Sequence, residues 1–482
     1  MAARILHVAA EVQPLVKTGG LGDVLGSLPA AQQELGHEVA VLVPGYPAVL
    51  DSVAPLDVLT TLRDFDDGPV RVLQGRLPGS DVLLHVVDAP QRFDRPGNPY
   101  VDAAGRDWPD NHRRFALLGR VAAEVARHAW PADVLHAHDW HAGLAPAYLH
   151  ATGNTCASCF TIHNLAFQGV FAARLYPDTG LPNEFYALDG LEFHGRWSFM
   201  KAALNFSDAI TTVSPTYAKE ILTPEQGMGL DGLLRHRASR LHGILNGVDY
   251  RVWNPATDSA LTARYSVATL SGKPENKRAL QQTLNLEDNA AVMLVGVVSR
   301  LTEQKGLDLA LRALSDLLGA RRLQLALLGS GNPDLEAAFM SLAERHPGRC
   351  AVHLGYDETL AHRIMGGADV ILIPSRFEPC GLTQLYGLHY GTLPVVRRTG
   401  GLADTVRRYT ASRAASATGF MFDTPSAAAA RRAVGRALQV YDDPKTWQQI
   451  MRNAMECDFS WVKAALAYSA LYTKLAASRG AA

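Results

Sequence analysis

The sequence predicts an α/β protein made of two doubly wound parallel sheets. Three observations lead to this class. Short apolar runs alternate with helical stretches along the whole chain, which is typical of parallel strands joined by crossover helices. The chain has 482 residues, too many for one compact core. Glycine-rich turns follow several of the apolar runs directly, as they do where a strand passes into a helix.

The predicted strands fall into two series. In the first half they are residues 5–10, 38–43, 82–87, 133–137, 157–162 and 209–213. In the second half they are residues 291–298, 323–329, 351–354, 370–373 and 393–396. Two series in tandem predict two Rossmann-like units with a cleft between them. Ligands of such sheets bind beyond the carboxyl ends of the strands, so the loops at those ends are the places to search for a site.

The boundary between the units is predicted at Leu245-Asn246-Gly247, because Asn-Gly marks a turn after the last strand of the first series. The predicted domains are therefore residues 1–245 and 246–456. Residues 457–482 are predicted to form a final helix, since an apolar pattern of helical period runs through residues 459–475.

Composition excludes several classes of function. The formal net charge of −1 gives no basic field for nucleic acid or an anionic membrane. No apolar run approaches the roughly 20 residues that span a bilayer, and the N-terminus does not read as a secretory signal. Five scattered cysteines fit reduced thiols, so a cytoplasmic location is expected. Cys156 and Cys159 have redox spacing, but they lie in an apolar run with no second pair, which favours buried structural thiols.

A glycine-rich stretch, Lys17-Thr18-Gly19-Gly20-Leu21-Gly22-Asp23-Val24, follows the first predicted strand and precedes a helix predicted to start at Leu25. Backbone N–H groups in such a turn face an anion, and glycines let a ligand approach closely. The lysine adds a positive charge for phosphate. The spacing matches neither the dinucleotide fingerprint nor the Walker loop. A tight turn with a solvated lysine remains the alternative.

Two further groups of candidates follow strands of the second series. Arg300 and Lys305 lie between an apolar strand and a helix, where a guanidinium and an ammonium would neutralise a diphosphate leaving group, unless both are merely solvated. Glu378 opens a segment before the next helix, whose first amides would form a second anion site, at Gly381, Leu382 and Thr383. The alternative for Glu378 is a carboxylate favoured by the helix dipole.

Three histidines, His136, His138 and His141, raise the question of a metal site. The first two share one face of a predicted buried strand, and no acidic partners accompany them, so a metal is not expected.

The glycine-rich stretch resembles the N-terminal signature of bacterial glycogen synthases and plant starch synthases, Lys-Thr-Gly-Gly-Leu-(Ala/Gly)-Asp-Val. Seven more motifs match this family in order over residues 4–470. They are Arg95-Pro96-Gly97-Asn98-Pro99-Tyr100, His138-Asp139-Trp140-His141-Ala142, Thr161-Ile162-His163-Asn164-Leu165, Asn246-Gly247-Val248-Asp249, Ser299-Arg300-Leu301-Thr302-Glu303-Gln304-Lys305-Gly306, Pro374-Ser375-Arg376-Phe377-Glu378-Pro379-Cys380-Gly381-Leu382 and Thr399-Gly400-Gly401-Leu402-Ala403-Asp404-Thr405-Val406.

The resemblance implies a GT-B fold, in which the final helix crosses back to the first domain, and a metal-independent retaining glycosyltransferase. It implies that Arg300 and Lys305 contact the nucleotide diphosphate and that Glu378 meets the donor sugar. A second glutamate of related enzymes is replaced here by Tyr386, so a ribose-binding carboxylate at that position is unsupported. The other implied catalytic residues are Lys17 and His163. The implied substrate-binding residues are Gly19, Gly20, Gly22, Asp23, Tyr100 on a mobile flap, Asp139, Asn164, Asn246, Tyr356 stacking on adenine, Cys380, Gly381, Leu382 and Thr383.

The expected activity is therefore transfer of glucose from ADP-glucose to the non-reducing end of an α-1,4-glucan such as glycogen, with retention and without a cofactor. The sequence shows no pair of carboxylates for double displacement, and the resemblance implies front-face attack with the phosphate accepting the proton. Two alternatives stay open: an enzyme that prefers UDP-glucose, and an inactive glucan- or nucleotide-binding regulator. The sequence does not fix the oligomeric state.

Overall fold

The computed structural model describes residues 2–53, 55–65, 68–153, 156–320 and 322–480. The chain divides into two compact units, unit 1 formed by Met1–Gly247 with Trp461–Ala482 and unit 2 formed by Val248–Ser460. The predicted boundaries after residues 245 and 456 lie two and four residues before the observed divisions. The ends of the predicted ranges, Met1 and residues 481–482, lie outside the described residues.

Unit 1 contains a large sheet and a small one. Its strands are β1 (Arg4–Val8), β2 (Glu38–Pro44), β3 (Asp57–Leu62), β4 (Val70–Arg76), β5 (Leu83–Asp88), β6 (Val134–His138), β7 (Ala157–Ile162), β8 (Val170–Ala172), β9 (Glu192–Phe193), β10 (Arg196–Ser198), β11 (Ala209–Thr212) and β12 (Leu241–Gly243). The large sheet has the order β12-β11-β7-β6-β1-β2-β5-β4-β3. The small antiparallel sheet has the order β8-β10-β9.

The large sheet confirms the predicted α/β class but is not wholly parallel. From β12 to β5 the neighbouring strands run parallel, whereas β4 pairs antiparallel with both β5 and β3. Residues 57–62 escaped prediction because their side chains are exposed or half-buried, so they show no continuous apolar run. The central strands β1, β6 and β7 are buried, and because they run parallel, their carboxyl ends lie together at one edge of the sheet.

The helices of unit 1 surround this sheet. They are α1 (Gly20–Glu34), α2 (Pro47–Ser52), α3 (Pro90–Phe93), α4 (Asn111–Glu124), α5 (Asp139–Ala142), α6 (Ala145–Ala151), α7 (Phe199–Phe206), α8 (Pro215–Glu220) and α9 (Asp231–His236). Short helices of other types occur at Val125–Ala129, Ala173–Thr179, Asn183–Phe185 and Ala238–Arg240.

Unit 2 is a six-stranded parallel sheet with helices. Its strands are β13 (Met293–Val298), β14 (Leu323–Gly329), β15 (Cys350–Leu354), β16 (Val370–Ile373), β17 (Leu393–Arg397) and β18 (Phe420–Phe422), in the order β15-β14-β13-β16-β17-β18. Its helices are α10 (Gly272–Thr283), α11 (Leu307–Gly319), α12 (Pro333–Arg345), α13 (Glu358–Gly367), α14 (Thr383–His389), α15 (Gly400–Thr405), α16 (Ala427–Tyr441) and α17 (Pro444–Met455), with one further turn at Ala411–Arg413.

The last helix, α18 (Trp461–Gly480), belongs to unit 1 and packs beside α1 over β6 and β7. Its buried residues Trp461, Tyr468 and Tyr472 belong to the core of that unit. Unit 2 is therefore inserted between the first 247 residues of unit 1 and its final helix. None of the described helices has the length and apolar character that crossing a bilayer requires.

Candidate functional site

The glycine-rich loop of unit 1 is organised by a carboxylate that sequence reasoning missed. Glu11 is buried and accepts hydrogen bonds from the Thr18 amide at 2.6 Å, the Thr18 hydroxyl at 2.5 Å and the Gly19 amide at 3.1 Å. Lys17 Nζ lies 2.7 Å from Asp23 Oδ1. Because Glu11 follows β1 without any recognisable motif, only the fold reveals its role.

The helix after this loop begins earlier than predicted. α1 starts at Gly20 rather than at Leu25, so Gly20 and Gly22 belong to its first turn. No side chain caps this helix, and its first turn carries Asp23. The amides of Thr18 and Gly19 already bond to Glu11, so the anion-facing donors of this segment are the first amides of α1.

Tyr100 reaches the same carboxylate from a distant loop. Its hydroxyl donates to Glu11 Oε1 at 2.5 Å, and its ring stacks on His141 with centroids 4.3 Å apart. Arg95 holds this loop with two hydrogen bonds of 2.6 Å to Asp110. The segment expected as a mobile flap is therefore tied to the rest of unit 1 at several points.

Asp139 and His163 lie at the carboxyl ends of the adjacent strands β6 and β7. Asp139 is buried with φ of 58°, a left-handed conformation that residues other than glycine adopt mainly where function or packing requires it. Burial raises its pKa to about 8 and lowers the pKa of His163 to about 3. Both side chains are therefore largely uncharged near neutral pH.

The two asparagines predicted near the donor sugar both follow strands in the parallel part of the large sheet, Asn164 after β7 and Asn246 after β12. Asn164 follows His163 and accepts a hydrogen bond from the Ala166 amide at 3.1 Å, which shapes the turn after β7. Asn246 is buried and precedes Gly247, the last residue of this part of unit 1.

The histidines do not group as the sequence suggested. The described residues hold one set of three potential ligand atoms within 4.8 Å, contributed by His7, His136 and His138, whereas His141 instead packs between Tyr100 and Trp140. Every ring nitrogen of the three has a hydrogen-bond partner in the protein. A metal ion would have to displace at least two of these bonds, so the cluster fits a hydrogen-bonded network better than a metal site.

In unit 2 the structure brings Lys305 and Glu378 into contact. Lys305 Nζ lies 2.9 and 2.7 Å from the two carboxylate oxygens of Glu378, and the Ser375 hydroxyl donates to the same group at 2.9 Å. Gly306 has φ of 67°, and a Cβ there would lie 2.2 Å from the Pro374 carbonyl oxygen. That close approach requires a glycine, and it brings the loops after β13 and β16 together.

Arg300 and Tyr356 remain on the surface of unit 2. Arg300 is exposed and forms no ion pair with the described residues. Tyr356 is 76% exposed, and its hydroxyl donates to Glu358 at 3.2 Å. Of the two predicted cations, Lys305 is thus bound to Glu378 and Arg300 faces solvent.

The segment after Glu378 is held by a second glycine-rich turn. The Gly401 amide donates to the carbonyls of Glu378 at 3.1 Å and Pro379 at 3.2 Å. Cys380 is buried, and Gly381 has φ of 71°. Leu382 and Thr383 follow at the start of α14, a helix of seven residues.

Tyr386 supports the core rather than replacing a carboxylate. Its ring stacks on Trp253 with centroids 3.9 Å apart, and the other face of Trp253 carries His362 at 3.8 Å. At the position where related enzymes have a second glutamate, this chain therefore has an aromatic side chain that packs helix α14 against Trp253.

Comparisons with known proteins find family matches in both units. A family model described as the starch synthase catalytic domain matches residues 4–236, and one described as glycosyl transferases group 1 matches residues 277–454. The catalytic domain of starch synthase IV from Arabidopsis thaliana, solved with ADP and acarbose, is 34% identical with a TM-score of 0.90, over 99% of this chain and 100% of that one.

Two more distant structures share the fold. Sucrose-phosphate synthase from Thermosynechococcus elongatus is 18% identical with a TM-score of 0.62, over 99% of this chain and 100% of that one. A glycosyltransferase from Rickettsia africae is 15% identical with a TM-score of 0.59, over 98% of each chain.

Proposed function

Because the chain belongs to the starch synthase family of glycosyltransferases, we propose that it transfers glucose from ADP-glucose to the non-reducing end of an α-1,4-glucan with retention. Full-length similarity to a starch synthase bound to ADP is the observation that carries this proposal. Glycogen is the proposed product and the cytoplasm the proposed location.

The cations of unit 2 are proposed to stabilise the leaving group. As the bond between the anomeric carbon and the phosphate oxygen breaks, negative charge grows on the diphosphate. Arg300 is exposed and unpaired among the described residues, so it can turn toward that charge. Lys305 is held by both oxygens of Glu378, which fixes its ammonium group in place. Within unit 1, the first amides of α1 offer hydrogen-bond donors to an anion, and Lys17 lies beside them, bound to Asp23.

The sugar passes through an oxocarbenium-like state. The 4-hydroxyl of the acceptor attacks from the face that the phosphate leaves, its proton passes to a phosphate oxygen, and ADP departs. This proposal needs no carboxylate nucleophile, because the leaving group itself acts as the base.

The remaining candidates are proposed to bind the donor. His163 and Asp139 are kept uncharged by burial, so they suit hydrogen bonds to sugar hydroxyls rather than ion pairs. The exposed ring of Tyr356 offers a face for adenine. No metal is proposed for the reaction, and the fully hydrogen-bonded histidine cluster supports this. A rate that is unchanged by a chelator is the expected result.

Radiolabelled donors provide the decisive experiment. The purified chain is incubated with glycogen and either ADP-[14C]glucose or UDP-[14C]glucose, and the product is digested with β-amylase, which removes maltose from non-reducing α-1,4 ends. Faster incorporation from ADP-glucose, with the label released as maltose, is expected. Faster incorporation from UDP-glucose would reverse the donor assignment.

A matched preparation of Arg300→Ala controls for a contaminating synthase. Incorporation from neither donor by a folded protein that still binds ADP would indicate a nucleotide-binding regulator instead of an enzyme.

A further inference from the structure

The central strands of unit 1 carry an unusual polar face. His7 of β1 pairs in register with His136 of β6, and His138 pairs with Thr161 of β7. All four side chains are fully buried. Helices α1 and α18 cover this face and add Gln32 and Tyr472, which are also fully buried. A polar face in such a position is stable only if its hydrogen bonds are complete.

The hydrogen bonds form a chain from Gln32 to His163. Gln32 Oε1 lies 2.7 Å from His7 Nε2, and His7 Nδ1 lies 2.9 Å from His138 Nε2. His138 Nδ1 then lies 3.1 Å from His163 Nε2. The hydrogen bonds therefore link a side chain in the last turn of α1 to a residue at the carboxyl end of β7.

The direction in which protons are donated along this series of hydrogen bonds follows from elementary donor and acceptor rules. An amide oxygen only accepts, so His7 carries its proton on Nε2 and presents a bare Nδ1. His138 must then donate from Nε2, which leaves its Nδ1 bare and obliges His163 to donate from Nε2. Burial lowers the pKa of all three rings, so each carries a single N–H.

A second branch fixes the orientation of the Gln32 amide. Gln32 Nε2 donates to the Tyr472 hydroxyl at 3.2 Å, and that hydroxyl lies 2.6 Å from His136 Nδ1. A phenol donates more strongly than it accepts, so the short contact is an O–H bond to a bare imidazole nitrogen. His136 donates in turn from Nε2 to the Thr161 hydroxyl at 2.6 Å. The reverse amide orientation would reverse both branches, and the phenol oxygen would then have to accept from His136 Nδ1, which is the weaker arrangement.

We propose that Gln32, His7 and His138 are positioning residues that hold His163 in the Nε2–H tautomer, so that its Nδ1 presents a hydrogen-bond acceptor to a hydroxyl of the donor sugar. His163 is half-buried, and its Nδ1 has no hydrogen-bond partner among the described residues. The sugar contact rests on the proposed function, whereas the tautomer does not.

The kinetic test compares donors rather than absolute rates. ADP-glucose is compared with analogues that each lack one sugar hydroxyl, and the ratio of kcat/KM values is measured for each pair. This ratio does not depend on the fraction of active protein, so mere loss of stability leaves it unchanged. In the unaltered chain, one analogue is expected to have a kcat/KM about tenfold lower than that of ADP-glucose, which corresponds to the loss of one uncharged hydrogen bond.

Gln32→Met keeps the volume of the side chain and removes both polar groups. The two proton arrangements of the histidines then become similar in energy, so about half of the molecules present the acceptor, and the discrimination is expected to fall from about tenfold to about fivefold. Gln281→Met is the matched control, because Gln281 is an equally buried amide that bonds to Asn289 and Gln324 in unit 2. That variant should keep the full discrimination. Unchanged discrimination in Gln32→Met would overturn the proposal.

Ring-nitrogen NMR of the 15N-histidine-labelled chain tests the tautomers without substrate. His7, His136, His138 and His163 are all expected as Nε2–H tautomers. A proton on Nδ1 of His163, or a bound metal ion at the cluster, would overturn the proposal, even if Gln32→Met fails to fold. If no donor supports transfer while the four tautomers are found, the proposed function fails and the hydrogen-bond chain stands.

Discussion

The sequence Thr-Gly-Gly-Leu-x-Asp occurs twice in the chain, at residues 18–23 in unit 1 and at residues 399–404 in unit 2. Helices α1 and α15 begin within these copies, at Gly20 and Gly400. In unit 1 the loop is exposed, and a Cβ built on Gly19 would meet no atom within 4 Å. In unit 2 a Cβ on Gly400 would lie 1.9 Å from the carbonyl oxygen of Glu378.

The same six residues thus serve two purposes. In unit 2 the glycines admit the protein's own backbone, and the Gly401 amide holds the segment that carries Glu378. In unit 1 the space over Gly19 is open to a ligand. A glycine pattern shows that something approaches closely, and only the fold shows whether that is a substrate or another part of the chain.

The largest expected effect is the loss of kcat when the cations of unit 2 are removed, and it is compared with removal of the lysine in unit 1. Arg300→Ala or Lys305→Ala should lower kcat by about 100- to 1,000-fold, because each group stabilises charge that grows in the transition state. Lys17→Ala tests whether the open loop of unit 1 takes part. Steady-state kinetics with ADP-glucose measures all three, with Arg345→Ala on an exposed helix position as the control. Losses below tenfold for both Arg300→Ala and Lys305→Ala would contradict the assignment.

The second effect tests the buried copy of the turn. In Gly401→Ala the new Cβ would lie 2.0 Å from the Cys380 carbonyl oxygen, so backbone must shift. A loss of about 3 kcal/mol in the free energy of unfolding of unit 2 is expected. Urea unfolding followed by hydrogen exchange of unit 2 peptides measures it. Unaltered stability would show that the close packing of this turn is not required.

Acid should distinguish the two units. Burial lowers the pKa of His7 to about 4 and that of His163 to about 3, and places His136 and His138 well below their usual value. Each is neutral when folded and binds a proton when unfolded, so stability is lost as pH falls from about 6.5 toward the folded pKa. The slope is at most about 1.4 kcal/mol per pH unit for each histidine.

The pH dependence of stability that Asp139 contributes has the opposite sign and offsets that of about one of these histidines. Its pKa is raised to about 8, so its contribution is present at low pH and lost as pH rises through 8. In unit 2 the main matching group is His389, whose pKa burial lowers to about 4. Hydrogen exchange at pH 7 and pH 5 should therefore show unit 1 losing protection first. Earlier loss in unit 2 would contradict the comparison.

The smallest expected effect comes from a substitution in the exposed Thr-Gly-Gly-Leu-x-Asp loop of unit 1. Gly19 has φ of −161°, which any residue adopts, so Gly19→Ala should leave the melting temperature unchanged. Because the methyl group would occupy the space proposed for the ligand, kcat/KM for ADP-glucose should fall by roughly tenfold, the value of a displaced contact. A variant with full activity would show that nothing approaches the backbone at this position.

The strands with continuous apolar runs were predictable from sequence. Residues 157–162, 323–329 and 370–373 have the bounds that the pattern indicated. The hairpin of β3 and β4 and the short strand β18 were missed, since edge or very short strands lack a long buried run. The start of α1 was predicted too late, because glycine is a poor helix former that a first turn nonetheless accepts.

For the candidate site, sequence indicated single residues better than their partners. Lys305 and Glu378 were both singled out, but their ion pair joins positions 73 residues apart. Glu11, His7, Gln32 and Tyr472 were missed because no local motif contains them. Their importance depends on which strands and helices become neighbours, and a single sequence does not give that pairing.

The position of α18 has a consequence for biosynthesis. Gln32 and its partner Tyr472 are 440 residues apart in the chain. At about 5–20 residues per second, a ribosome needs roughly 20 to 90 seconds to make the intervening segment. During that interval the histidine face of the first sheet lacks the part of its cover that α18 supplies and stays accessible to water, while the inserted unit can fold. Most of unit 1 is therefore synthesised first, but its fold is completed last, when the final helix has been made.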